Sequence, residues 1–111
     1  MTADQILSHH LVAFGNNDLD EIMKDYTEES IVFAEKGVVS GIEAIREFFT
    51  EMFLMIPSGS EFEMMHMNVV LNVSHIIWSS KSSTADIPFG TDTFVFEQDK
   101  IRFHTVSAYL K

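Results

Sequence analysis

The sequence predicts an α+β fold in which helices pack on one face of a curved, mostly antiparallel sheet. Apolar residues recur at helical spacing as far as Ile56, the texture turns to strands after Ser60, and nothing beyond Pro57 keeps a helical period. Helices first and a run of adjacent strands afterwards differs from the strand–helix alternation that builds parallel sheets. A chain of 111 residues supports one core, so residues 1–111 read as a single domain.

Each element has a local reason. Ile6, Leu7, His10, Leu11 and Phe14 form one helical stripe over residues 3–14, and Gly15-Asn16-Asn17 stops it. Asp18 then caps a second helix with the stripe Leu19, Ile22, Met23 and Tyr26. Its acidic residues fall in the first turn, where the helix dipole favours them, and it is predicted to end near Thr27. Ile31–Ala34 and Val38-Val39, joined at Lys36-Gly37, read as a small hairpin ended by Ser40-Gly41. From Ile42, the positions Ile45, Phe48, Phe49, Met52, Phe53 and Ile56 make a third helix with a broad aromatic face, closed by Pro57-Ser58-Gly59. Four strands follow, at 61–70, 75–80, 87–96 and 101–109, separated by polar or glycine-containing turns.

Composition narrows the function classes. Seventeen acidic residues against seven basic ones give a formal net charge of −10, which opposes nucleic acid and anionic lipid as partners. Without cysteine there is no disulfide, thiolate nucleophile or cysteine-ligated zinc. No apolar run approaches the roughly 20 residues of a membrane span, and the Met1 start lacks a secretory pattern, so a soluble, cytoplasmic protein is expected. The Met64-Met65-His66-Met67 cluster has soft-metal side chains, but residues of one strand alternate faces, so no metal site is expected there.

Asp92 stands out within Gly90-Thr91-Asp92-Thr93-Phe94-Val95-Phe96, a β-prone run of aromatic and β-branched residues. A carboxylate in a half-buried strand is costly unless it is paired, protonated or used. It is read either as a solvated or capping residue or as a carboxyl at the floor of an apolar pocket.

The order of a first helix, Asn17-Asp18-Leu19-Asp20, Tyr26, a short strand, Gly41-Ile42-Glu43-Ala44-Ile45-Arg46-Glu47-Phe48-Phe49, Gly90-Thr91-Asp92-Thr93-Phe94 and Lys100-Ile101 resembles the nuclear transport factor 2-like superfamily, in particular its SnoaL-like and ketosteroid-isomerase-like members. The resemblance implies a cone: a curved sheet wrapped around three N-terminal helices, with a pocket inside, commonly in a homodimer. Asp92 falls where the ketosteroid isomerases keep a protonated carboxylic acid that donates to a developing oxyanion. The isomerase base would fall at Ala34, which cannot take a proton, and the oxyanion-binding tyrosine at His10. Glu35 is next to the lost base but on the opposite strand face unless a bulge intervenes. His104 matches a pocket histidine of many SnoaL-like proteins, while the aspartate that often follows is Val106 here. Trp78 matches an aromatic pocket position, and Phe14, Phe49, Phe53, Met52 and Phe94 supply apolar lining or ordinary core.

Two registers are open for the last hairpin. A two-residue Gln98-Asp99 turn aligns Phe94 and Phe96 with Ile101 and Phe103 and sends His104 to the other face. A three-residue loop gathers Asp92, Phe94, His104 and Val106, as the resemblance favours. His9 and His10, adjacent on a helix, point about 100° apart, with only His10 on the apolar stripe.

The resulting expectation is a small-molecule-binding protein with an apolar pocket. Isomerase, dehydratase and cyclase are the candidate activities on a cyclic apolar substrate. Asp92, His104 and His10 are the candidate catalytic residues; Phe14, Phe49, Phe53, Trp78, Phe94 and Val106 are the candidate lining, without a cofactor or metal. The alternative is a non-catalytic dimeric module with a closed cavity. A homodimer is expected through the outer sheet face, at Val69, Leu71 or the threonine- and valine-rich side of the last strands.

Overall fold

A computed structural model describes residues 1–111 as α1 (Ala3–Gly15), α2 (Leu19–Met23), β1 (Ile31–Ala34), β2 (Gly37–Ser40), α3 (Ile42–Met55), β3 (Glu61–Val70), β4 (Val73–Lys81), β5 (Asp86–Glu97) and β6 (Lys100–Tyr109). The six strands form one sheet in the order β2-β1-β6-β5-β4-β3. Every pairing is antiparallel except β1 with β6, which is parallel. The inner face of the sheet and the apolar stripes of the helices share one core, in which Ile6, Leu7, Ile45, Phe49, Ile76 and Phe94 are buried. The α+β cone expected from the sequence is the architecture found. No helix is long and apolar enough to cross a membrane.

Thr2 and Gln5 close a capping box on α1, satisfying two otherwise orphaned backbone donors. The helix α2 is shorter than the sequence predicts, ending at Met23 rather than near Thr27. Lys24, Asp25 and Tyr26 continue in a tighter turn, their N–H groups donating three residues back to Glu21, Ile22 and Met23. The turn is anchored to β6, where Ile101 N donates to Asp25 O at 2.7 Å and Ser30 Oγ donates to Ile101 O at 2.6 Å. These bonds outweigh the helical propensity of the segment and aim Asp25 and Tyr26 inward.

Three bulges curve the sheet. One inserts Met65 in β3, between the pairs Met64–Trp78 and His66–Ile77. A second lies in β5 between Gly90 and Ile87 and accommodates Pro88, which has no N–H for a ladder. The third inserts Arg102 in β6, between the pairs Phe96–Ile101 and Val95–Phe103. The β5–β6 turn is the two-residue one, with positive φ at Gln98 and Asp99 as a type I′ turn requires. Arg102 then shifts the register by one residue, so His104 pairs with Phe94 and Val106 with Asp92. Neither sequence register is correct as stated: the turn is that of the first, and the gathering of Asp92, Phe94, His104 and Val106 is that of the second.

Val69 does not belong to the outer face. It pairs opposite the buried Ser74 and packs on the core, because the Met65 bulge changes the alternation of β3. Leu71 lies in the β3–β4 turn and is exposed.

Candidate functional site

On the inner face of β4, β5 and β6, four side chains form a hydrogen-bonded chain. Tyr26 Oη lies 2.9 Å from His104 Nδ1, His104 Nε2 lies 2.5 Å from Asp92 Oδ2, and Trp78 Nε1 donates to Asp92 Oδ1 at 2.7 Å. Donor inventory fixes the protons. Burial, followed by the negative charges of Asp92 and Asp25, pushes the Tyr26 hydroxyl well above its ordinary range, so it keeps its proton and donates to Nδ1. The His104 proton is then on Nε2 and donates to Asp92, whose carboxylate accepts from two donors. Asp92 is buried and paired rather than solvated. Both of its oxygens are occupied by groups of the protein, an arrangement unlike the free donor that the isomerase resemblance implies.

The sequence places Tyr26 in the apolar stripe of the second helix and in the family pattern, but not among the candidate site residues. The available signal was its hydroxyl, since a buried tyrosine O–H ordinarily finds a partner. Trp78 is held on three sides: by Asp92, by Phe62 stacked at 5.7 Å between ring centroids, and by Gly90 opposite it in β5.

His10 lies across the cone from this chain, its ring 5.8 Å from that of His104 and 5.1 Å from Phe94, edge-on to both. It is buried, and its Nδ1 has no hydrogen-bond partner. Burial, then the positive charges His104 and His9 would carry, lowers its pKa well below 6.5. A histidine whose folded pKa is depressed contributes stability that is present above the unfolded value and lost as pH falls below it. His10→Leu, which keeps similar volume without the titrating ring, is expected to recover about 1–2 kcal/mol relative to the wild type between pH 6.5 and pH 5. Urea denaturation at the two pH values measures this, and parallel pH profiles for the two proteins would refute it.

His10, Asp92, His104, Phe14, Phe49 and Phe94 share a cavity of about 30 Å³, room for about one water. Asp92 therefore does not line a void of several hundred Å³. The larger space is a cleft of about 660 Å³ between α3 and the β1–β2 hairpin, where Ala44, Val39 and Ile87 form apolar wall. Trp78, Phe48, Met52 and Val106 line both spaces and separate them. Phe53 lines neither. It packs behind Phe14 and Phe49, at 5.3 and 6.4 Å between ring centroids, one helical turn beyond Phe49. Glu35 stands at the cleft rim and accepts from Ala108 N at 2.7 Å, while Ala34 lines the cleft. Of the lining expected from the sequence, Phe14, Phe49, Trp78, Phe94 and Val106 border the inner cavity, whereas the cleft, set by how the hairpin splays from α3, is not among the sequence expectations.

Neither a family model nor a curated protein matches the sequence. Solved structures do. An NTF2-like protein of unknown function from Cytophaga hutchinsonii aligns with a TM-score of 0.77 at 15% identity, covering 98% of this chain and 91% of that one. A SnoaL-like protein of unknown function from Burkholderia thailandensis aligns at 0.76 and 17% identity, covering 96% and 94%. A protein of Shewanella putrefaciens named as a candidate SnoaL-like polyketide cyclase aligns at 0.79 and 15% identity, covering 96% and 79%. With a curved six-stranded sheet closed over three helices, the chain has the fold of the NTF2-like and SnoaL-like proteins, which is also described as cystatin-like.

Proposed function

We propose that this protein binds a cyclic, mostly apolar small molecule in the cleft between α3 and the β1–β2 hairpin. The observation that carries this reading is the cleft itself. About 660 Å³ of concave, largely apolar surface ends on an indole whose N–H is tied to a buried carboxylate. Ligand sites commonly have this volume and this mixture of apolar wall and few polar groups. The candidate cyclase name of a structural neighbour is compatible with a cyclic ligand. Isomerase, dehydratase or cyclase chemistry would draw on the proton held between His104 and Asp92. It would require Trp78 or Phe48 to swing aside, because these rings separate that pair from the cleft. Binding is therefore the primary reading and turnover the secondary one.

Trp78 is the only tryptophan, which makes the test direct. The neutral probe N-phenyl-1-naphthylamine is expected to quench Trp78 emission on binding. Ala44→Phe, which fills the cleft from α3, is expected to weaken binding about tenfold or more. Unchanged affinity in the variant would overturn the location. Absence of quenching up to the solubility limit would favour the closed, non-catalytic module, a reading supported by the small size of the inner cavity.

A homodimer through the outer sheet face belongs to the same proposal. Phe33, Phe89 and Tyr109 are exposed there, and Val95 and Phe103 pair across β5 and β6 beside them. Large apolar side chains exposed together on one face mark an interaction surface. Sedimentation velocity at micromolar concentration is expected to show a dimer. Thr105→Glu, which places like charges near each other across a two-fold axis, is expected to give a monomer. A monomeric wild type refutes the dimer.

A further inference from the structure

His9 and His10 diverge around α1, yet both reach the same carboxylate. His9 Nδ1 lies 2.8 Å from Asp25 Oδ2, and His10 Nδ1 approaches that same oxygen from the interior at 4.0 Å. The His9 side chain is 32% exposed, whereas those of His10 and Asp25 are 3% and 7% exposed. Asp25 thus stands at the boundary between solvent and core, with one histidine on each side. The Nδ1 of His10 has no other partner, and its ring lines the cavity shared with His104 and Asp92. We propose that His9, Asp25 and His10 form a relay that carries a proton between solvent and this buried cavity, with Asp25 as the shared intermediate.

The inward transfer balances as follows: the His9 Nδ1–H bond breaks as Asp25 Oδ2–H forms. Asp25 then gives that proton to His10 Nδ1 and His10 becomes an imidazolium. Only after His10 has released a proton from its other ring nitrogen to an acceptor in the cavity is neutral His9 recharged from water at its exposed ring. At 4.0 Å the second transfer is too long for a hydrogen bond, and a side-chain shift of about 1 Å brings it into range. The surrounding charges suit the roles. Glu21, with Oε1 2.9 Å from His9 Nε2, and Asp25 raise the pKa of His9, so it is charged at the outer end. Burial raises the Asp25 carboxyl more than the His9 bond lowers it, so it accepts a proton more readily than a free aspartate. Lys24 is paired with Glu21 at 2.5 Å, Lys100 acts on Asp25 from β6, and a positive charge on His104 would oppose one on His10 from the far side of the cavity. A charge on His9 likewise opposes one on His10, so the proton resides on one histidine at a time.

The use of this relay rests on the pocket reading, because a ligand group in the cavity would be the destination of the proton. Its test needs no ligand. In NMR titrations of the histidine rings, His9→Gln is expected to raise the His10 midpoint by about half a pH unit or more, since the opposing cation is gone and Asp25 is free to face inward. An unchanged midpoint, or no His10 titration before unfolding in either protein, overturns the relay. Asp25→Asn, nearly isosteric but unable to carry the proton, is expected to slow solvent exchange of the His10 ring N–H about tenfold or more. Equal exchange rates overturn it. Should Asp25→Asn fail to fold, the His9→Gln titration still decides. Failure of the naphthylamine probe to bind would leave both outcomes standing and remove only the cleft assignment.

Discussion

Asp92→Ala is expected to destabilise the protein by about 2–4 kcal/mol, a large share of the roughly 5–15 kcal/mol typical of a whole domain. The carboxylate accepts from Trp78 Nε1 at 2.7 Å and pairs with His104 Nε2 at 2.5 Å. Removing it leaves two buried N–H groups without an acceptor, at about 1–3 kcal/mol each, partly offset because the charge itself is no longer desolvated. Asp92→Asn separates the contributions. Its carbonyl oxygen can still accept from Trp78, but its NH2 faces the His104 N–H, and reversing the imidazole tautomer takes the acceptor from Tyr26. An intermediate loss of about 1–2 kcal/mol is expected. Chemical denaturation of the three proteins at neutral pH measures the series. An alanine variant within about 0.5 kcal/mol of the wild type would mean that the chain contributes little to stability.

Gly90→Ala is expected to cost about 3–5 kcal/mol, although it adds a single methyl group to a strand. A Cβ at this position would lie 2.4 Å from Trp78 Cζ2 and 2.5 Å from Cε2, well inside van der Waals contact. The indole cannot yield freely, because Phe62 stacks on it and Asp92 holds its N–H. The overpacking strain of about 1–3 kcal/mol is therefore joined by loss of the indole–carboxylate bond. Red-shifted emission of the only tryptophan should accompany the loss of stability, since the ring is driven from the core toward the cleft. The test of cause is a double-mutant cycle: in a Trp78→Leu background the same glycine substitution should cost far less. Equal costs in both backgrounds would place the strain elsewhere.

The sequence by itself determined the fold class, the order of the elements and most of their boundaries, because these depend on local periodicity and turn chemistry. The stripe of α1, the aromatic face of α3, the stop at Pro57 and the late strands are all local signals. So was the anomaly of Asp92, a charge whose neighbours in sequence imply burial. Tertiary structure decided what Asp92 meets. The Arg102 bulge, which joins a two-residue turn to a register shifted by one, sets His104 beside Phe94, whereas the apolar pattern of β6 alone favours the unshifted register with Ile101 and Phe103 on one face. Likewise, two histidines about 100° apart on a helix give no sequence sign of converging. They do so because bonds from β6 hold the turn after α2 with Asp25 between them. The side chains around the inner cavity stand out in the sequence as a set of aromatic residues, whereas neither its volume nor that of the cleft does. Side-chain type specifies what can line a space, whereas the separation of α3 from the β1–β2 hairpin decides whether the space is one water wide or large enough for a ligand.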